Sequence, residues 1–213
     1  MNIMIFGATG AVGSRTVGEA ARRHHQVTAV SRQTVPEARR IRGAHYRQLD
    51  LYAPAALAGF LAGQDAVISA IRPPEGHEAD LPVLSERLLD AAAAADIPIV
   101  FTGGAASLKL SAHSETTVLT EPGFLPQSVI PIARACQAQY DRIRRASYDQ
   151  WSYLAPPAEL LPGVRRGTYR IGYDHLVRDN DGRSWISMED LAIALLDEAE
   201  TGRHRGQRFT VGY

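Results

Sequence analysis

The 213-residue chain has a single cysteine, Cys136, which excludes an internal disulfide. No Cys/His cluster shows the spacing of a zinc site. Lys109 is the only lysine, so nearly all positive charge is arginine and lysine chemistry has one candidate position. Net charge is missing too. Lys and Arg total 23, as do Asp and Glu, which gives no electrostatic reason to bind nucleic acid or an anionic membrane. The first apolar run is far too short to span a bilayer. The opening residues also lack a basic segment leading into an apolar stretch and a small-residue cleavage site, so a cytoplasmic location is expected. There are no repeats or low-complexity tracts. What remains is an ordinary globular composition, 45% hydrophobic and 22% charged, with enough residues for one sizeable core. Residues 1–213 are expected to form one domain.

Short apolar runs alternate with alanine-rich stretches through the first hundred residues, the pattern of a parallel sheet covered on both faces. Strands are expected at Ile3–Phe6, Gln26–Val30, His45–Gln48, Asp65–Ser69 and Ile97–Thr102, with helices at Val12–His24, Pro54–Ala62 and Leu81–Ala95. Glu37–Arg42 reads as a short helix or a loop. Right-handed crossovers would wind these units into a doubly wound sheet, with its ligand crevice at the carboxyl ends of the strands. Residues 103–127 lose periodicity and are expected to form a long loop over that crevice. Beyond them come a helix over Gln127–Ser147, strands at Trp151–Leu154, Gly167–Arg170 and Arg208–Val211, and a helix over Met188–Glu200. The last helix is opened by a capping-box variant, Ser187-Met188-Glu189-Asp190. These later elements suggest a small C-terminal elaboration on the substrate side.

The most informative segment is Gly7-Ala8-Thr9-Gly10-Ala11-Val12-Gly13, set between an apolar strand and a helix start. Gly7 permits a sharp turn off a buried strand, Gly10 lets the backbone approach a pyrophosphate, and Gly13 lets the helix sit close to the strand. The free N–H groups of the new helix and the positive end of its dipole then face the phosphates. Thr9, Ala11 and Val12 would supply further contacts. At the end of the second strand stand Ser31 and Arg32, with no acid until Glu37. A guanidinium fork and a hydroxyl suit a 2′-phosphate, which favours NADP(H) over NAD(H); the alternative is that Arg32 is a solvated surface residue. Asp50-Leu51 would either sit by the adenine or enter the next helix as an N-cap or Asx turn. Ser69-Ala70-Ile71 are small enough to let the ribose and pyrophosphate lie along them. Arg72 would meet a phosphate, an anionic substrate, or only solvent.

Taken together, GATGAVG, Ser31-Arg32, Asp50-Leu51 and Ser69-Ala70-Ile71 resemble the atypical short-chain dehydrogenase/reductase superfamily and its Rossmann fold. Within it the chain is similar to the small NAD(P)H-binding, NmrA-like group that includes NADH-flavin reductases and biliverdin reductase B. The segments Thr102-Gly103-Gly104-Ala105-Ala106-Ser107-Leu108, Trp151-Ser152-Tyr153-Leu154-Ala155-Pro156-Pro157 and Gly167-Thr168-Tyr169-Arg170 resemble the flavin-reductase-like subgroup. The resemblance implies that Gly103, Leu154, Ala155 and Pro156 border the nicotinamide and that Thr102 offers a hydroxyl where the superfamily often has serine.

The chain departs from the superfamily at its proton-transfer pair. Registered on the helix-to-strand junction before Pro156, the expected Tyr-x-x-x-Lys positions hold Ala133 and Gln137, and neither can act as that pair. Tyr140 with Arg144 has the spacing but lies seven residues too late. Hydride transfer needs mainly positioning of donor and acceptor, so an acceptor that delocalises electrons and takes its proton from water remains possible. The leading expectation is an NADPH-dependent oxidoreductase acting on a flavin, quinone or tetrapyrrole-like acceptor, with Thr102 as the catalytic candidate. The alternative is a dinucleotide-binding redox sensor of NmrA type. His113, in the long loop, is either a proton donor near the nicotinamide or a solvated histidine. Gly103 and Gly104 are expected to keep side chains away from the nicotinamide ring.

Overall fold

The computed structural model describes residues 1–53 and 57–213. Its first strand, β1 (Asn2–Phe6), is buried on both sides and sets the layering. Ile3 and Ile5 face one core and Met4 and Phe6 face the other, as the two-residue period of a strand requires. Helix α1 (Ala11–Arg22) follows, then β2 (Gln26–Ser31) and β3 (Ala44–Gln48), both parallel to their neighbours. A 3-10 turn at Glu37–Arg39 occupies the short segment between β2 and β3. Helix α2 (Leu57–Leu61), β4 (Ala66–Ser69), α3 (Leu81–Ala95) and β5 (Ile99–Thr102) complete the first half. The expected helix over Pro54–Ala62 is seen from Leu57; Pro54, Ala55 and Ala56 lie outside the described residues.

In the second half come α4 (Ile130–Ile143), β6 (Trp151–Ala155), β7 (Glu159–Leu161), β8 (Arg170–Gly172), β9 (Trp185–Ser187), α5 (Met188–Thr201) and β10 (Gln207–Gly212). The main sheet runs β3-β2-β1-β4-β5-β6-β10-β8, parallel throughout except for the edge strand β8. Helices α1 and α5 cover one face, where Val17, Leu191 and Leu195 join Ile3, Ile68 and Phe209. On the other, Leu84, Leu88 and Ile143 join Met4, Phe101 and Tyr153. This is the doubly wound α/β architecture, with β7 and β9 forming a small parallel pair beside it.

Three expectations need correction. The strand expected at Gly167–Arg170 begins only at Arg170, because the Arg166 and Gly167 N–H groups donate to the Asp190 carboxylate instead of a ladder. Of residues 103–127, expected to lie over the crevice, only Gly103 lines it. The rest fold back through a Lys109–Thr117 bridge and bury Leu108 and Val118 in the core. The strand expected from Ile97 starts at Ile99, since Asp96 adopts a left-handed C-cap (φ 52°) and the Ile97 N–H closes the end of α3 on Ala92. The parallel pair β7 and β9 leaves no trace in the sequence pattern, since at three residues each neither offers a readable alternation.

Candidate functional site

Where the carboxyl ends of β1, β2, β4 and β5 meet, the chain leaves a cleft of about 690 Å³. That size suits a cofactor or small ligand. The β1–α1 turn forms its floor. Gly7 has φ +76°, and a Cβ there would stand 2.3 Å from the Ala70 carbonyl oxygen, so only glycine allows β1 and β4 to close together at this point. A Cβ on Gly13 would lie 2.0 Å from the Gly7 carbonyl oxygen, which fixes how closely α1 approaches the strand exit. Gly10 differs. Its nearest obstacle is the Gly7 oxygen at 3.2 Å, and its remaining surface opens to the cleft.

Gly10 caps α1 from an extended conformation (φ −74°, ψ 169°) with no side-chain cap, and no acid lies in the first turn. The first N–H groups of a twelve-residue helix therefore point at the cleft without a side-chain acceptor, which is an anion site in waiting. The turn itself is tied down by Ala8 N–H donating to Val30 O (3.1 Å), Gly10 N–H to Gly7 O (2.9 Å) and Ala70 N–H to Phe6 O (3.0 Å). Thr9, Ala11 and Val12 also line this end.

Further along, Ser31 and Arg32 line the cleft at the end of β2, and Arg32 is exposed without an ion-pair partner among the described residues. The Ser31 hydroxyl donates to Gln33 O at 2.6 Å, which leaves its oxygen free to accept but commits its proton. Asp50 and Leu51 line the cleft as well, and Asp50 accepts from Tyr52 N–H at 3.0 Å, the Asx turn that the sequence allowed. Ala70 and Ile71 are on the lining; Ser69 lies beneath it, fully buried, its hydroxyl unpaired. A second cavity of about 400 Å³, unforeseen from sequence, shares Thr9 with the first and is lined by Ser14, Thr34, Arg39 and Tyr46.

These features coincide with what comparison of the whole chain shows. The model of the NAD(P)H-binding family matches residues 7–201. The chain belongs to the NAD(P)H-binding family. Its resemblance to short-chain dehydrogenases/reductases is one of fold: two Veillonella parvula structures so named are 14% and 15% identical, with TM-scores of 0.76 and 0.75. It is 32% identical over 214 residues to "uncharacterized protein YwnB" of Bacillus subtilis strain 168, spanning 99% of this chain and 98% of that one. A Burkholderia pseudomallei structure named "putative exported protein" is 36% identical with a TM-score of 0.87 over 100% of both chains. A Streptococcus pneumoniae structure named "putative NADH-flavin reductase" is 26% identical with a TM-score of 0.84, covering 100% of this chain and 99% of that one.

In this NAD(P)H-binding protein the far end of the cleft is built differently from expectation. Leu154 and Ala155 are fully buried in β6, Pro156 is buried beyond them, and none of the three is on the lining. Their place is taken by Ile132 and Cys136 from α4, Leu160 from β7 and Met188 at the start of α5. Sequence reading missed these four because they converge from segments far apart in the chain. Gly103 lines the cleft, yet the reason for glycine there is Tyr153: a Cβ would lie 2.0 Å from its ring. Gly104 likewise makes room for Cys136, whose sulfur would be 2.9 Å from a Cβ.

Proton donors are scarce at this end. Ala133 is buried and Gln137 spends its amide on Asp141 at 3.1 Å, so neither position replaces the missing dyad. Thr102 lines the cleft, but its hydroxyl oxygen is enclosed and has no hydrogen-bond partner. Burial pushes the Cys136 thiol up to about 11, with the positive charge of Arg72 acting in the opposite direction. Tyr153 is held well above its ordinary range, chiefly by burial, and its hydroxyl donates within the core to Cys136 O (3.0 Å) or Gln139 Oε1 (3.1 Å). His113 is exposed and Lys109 faces Glu115 at 3.4 Å; neither lines the cleft. Among the described residues no group of three His, Cys, Asp or Glu could hold a metal, and no helix is long and apolar enough to cross a membrane.

Proposed function

We propose that the protein is an NADPH-dependent oxidoreductase that passes a hydride to a flavin, quinone or similar conjugated acceptor. One observation carries the reading: the open turn at Gly10 shares a cleft with a largely apolar wall where, among the described residues, the Cys136 thiol is made a weaker acid by burial and the Thr102 hydroxyl is enclosed. The cradle fits a dinucleotide, because a Cβ on Gly10 would meet only the Gly7 oxygen, at 3.2 Å, whereas backbone closes in on Gly7 and Gly13 at 2.3 Å and 2.0 Å. In this reading Gly7, Gly10 and Gly13 shape the loop, and Ala11 and Val12 offer N–H groups to the diphosphate. Arg32 takes the 2′-phosphate beside Ser31, and Asp50, Leu51, Ala70 and Ile71 border the adenosine half. When bound, the reduced dinucleotide supplies a hydride; the chain's own residues hold donor and acceptor together. The proton comes from solvent, which suits a conjugated acceptor that delocalises the added electrons far better than a simple ketone. The name of the Streptococcus pneumoniae relative points the same way.

Following NADPH absorbance with purified protein and FMN, riboflavin, a quinone and biliverdin tests this directly. Turnover with one of these acceptors supports the reading. Tight NADPH binding without turnover across the panel supports the second reading, a redox sensor, which the absence of a usable Tyr-Lys pair favours. We place the protein in the cytoplasm, where reduced dinucleotide is held; fractionation of cells expressing the full chain tests that placement, and the name of the Burkholderia relative makes the test worthwhile.

A further inference from the structure

Most arginines of this chain are engaged by carboxylates, carbonyls or aromatic rings, as Arg15, Arg23, Arg87 and Arg208 show. Two that line the main cleft have no such partner among the described residues, and they stand at different ends: Arg32 after β2 and Arg72 after β4. Arg32 is accounted for above. Arg72 follows Ile71, which packs against a small apolar cluster of Leu81, Ala135 and Cys136 together with Ile132. That cluster is the α4 wall of the cleft, on the side away from β2 and β3. The guanidinium's influence on the Cys136 thiol agrees with this location. Pro73 and Pro74 follow and also line the cleft, restricting the backbone that carries the charge. The only other charged lining residue in this segment is Glu75, exposed and not paired with Arg72. The diphosphate has its own donors in the α1 turn, so a second cation over an apolar wall calls for another anion.

Building on the reductase reading, we infer that the acceptor is a conjugated ring system bearing an anionic substituent, a phosphate, carboxylate or sulfonate. The ring lies on Ile71, Ile132 and Cys136 and the anionic group meets Arg72. Arg72 is thus a specificity residue for the acceptor. It takes no part in moving the hydride or the proton.

FMN and riboflavin share one ring system and differ by a phosphate, which makes them the probe pair. Binding of each is measured by flavin fluorescence with NADP+ saturating, so no turnover is needed. Wild type is expected to hold FMN about tenfold more tightly than riboflavin. In Arg72→Met that preference falls to near unity, in Arg72→Lys part of it survives, and NADP+ affinity stays within about twofold in both. Equal affinity of wild type for the two flavins, no binding of either, or a preference untouched in Arg72→Met overturns the inference. So does a parallel loss of NADP+ affinity, which would assign Arg72 to the dinucleotide. NADPH oxidation is read separately. Turnover without a phosphate preference keeps the reductase and sinks the role of Arg72, whereas a preference without turnover does the reverse.

Discussion

At the scale of single residues, the cleft depends on contacts that tolerate no added atom and on charges left unpaired. Gly13→Ala places a methyl 2.0 Å from the Gly7 carbonyl oxygen, against backbone that cannot swing aside. It is expected to cost about 1–3 kcal/mol of stability and most dinucleotide affinity, by denaturant melts and calorimetry. Arg32→Ala tests the proposed cofactor choice. A charge-assisted phosphate contact contributes about 1.5–3 kcal/mol, so the variant should lose roughly 10- to 100-fold for NADP(H) and little for NAD(H). Equal loss for both removes Arg32 from the phosphate. Away from the cleft, Glu19 is almost fully buried on α1 and is gripped by Arg165, Arg23 and Arg22. The Arg165 hydrogen bonds lead in lowering its pKa to about 2, against the opposing effect of burial. The folded-state pKa lies below the unfolded one near 4.5, so the stabilisation is complete above that value and is lost as pH falls towards 2. Glu19→Gln should cost about 2–3 kcal/mol at pH 7 and flatten that part of the acid-unfolding curve.

At the scale of elements, α5 and the strap between β7 and β8 hold each other in place. Ser187 caps α5 by accepting from the Asp190 N–H at 3.0 Å, as the Ser187–Asp190 pattern in the sequence led us to expect. The structure adds that the Asp190 side chain is itself fully buried. Its oxygens accept from the N–H groups of Arg166 (3.1 Å) and Gly167 (3.0 Å) and from the Tyr213 hydroxyl at 2.5 Å. Arg165 and Arg166 are therefore held on the strap by a carboxylate from α5, by Glu19 from α1 and by the rings of Trp185 and Tyr213. Asp190→Ala should free the strap and speed tryptic cleavage after Arg165 and Arg166, read by mass spectrometry. Unchanged cleavage would show that the arginine contacts suffice alone. Ser187→Ala, losing only the cap, should cost about 1 kcal/mol and leave the cleavage rate nearly unchanged.

At the scale of the whole molecule, a cleft formed by four strand ends exists only when the sheet is assembled, so dinucleotide binding is coupled to global stability. NADP+ at a hundred times its dissociation constant should add about 2.7 kcal/mol. For a chain of this length that is a rise of roughly 5–10 °C in Tm by scanning calorimetry. The doubly wound parallel architecture was legible because β1, β2, β4 and β5 are short apolar runs separated by amphipathic stretches, and the rule of right-handed crossovers leaves few alternatives. The glycine loop was legible because its chemistry is local: seven consecutive residues turn, cap and open a helix. The wall of the cleft made by four distant segments was not. Ile132, Cys136, Leu160 and Met188 read as core residues in their own segments, and only the distances among them make a wall.

The sequence by itself determined the doubly wound sheet, the glycine loop and the loss of the tyrosine–lysine pair, since each follows from residue type at short spacing. Tertiary structure decided which residues face the cleft. It buried Leu154, Ala155 and Pro156, enclosed the Thr102 hydroxyl, and reserved Gly103 for the Tyr153 ring. Backbone geometry propagates along a few neighbouring residues and is written locally. The facing of a side chain across a cleft is set by packing between elements dozens of residues apart, and no local pattern records it.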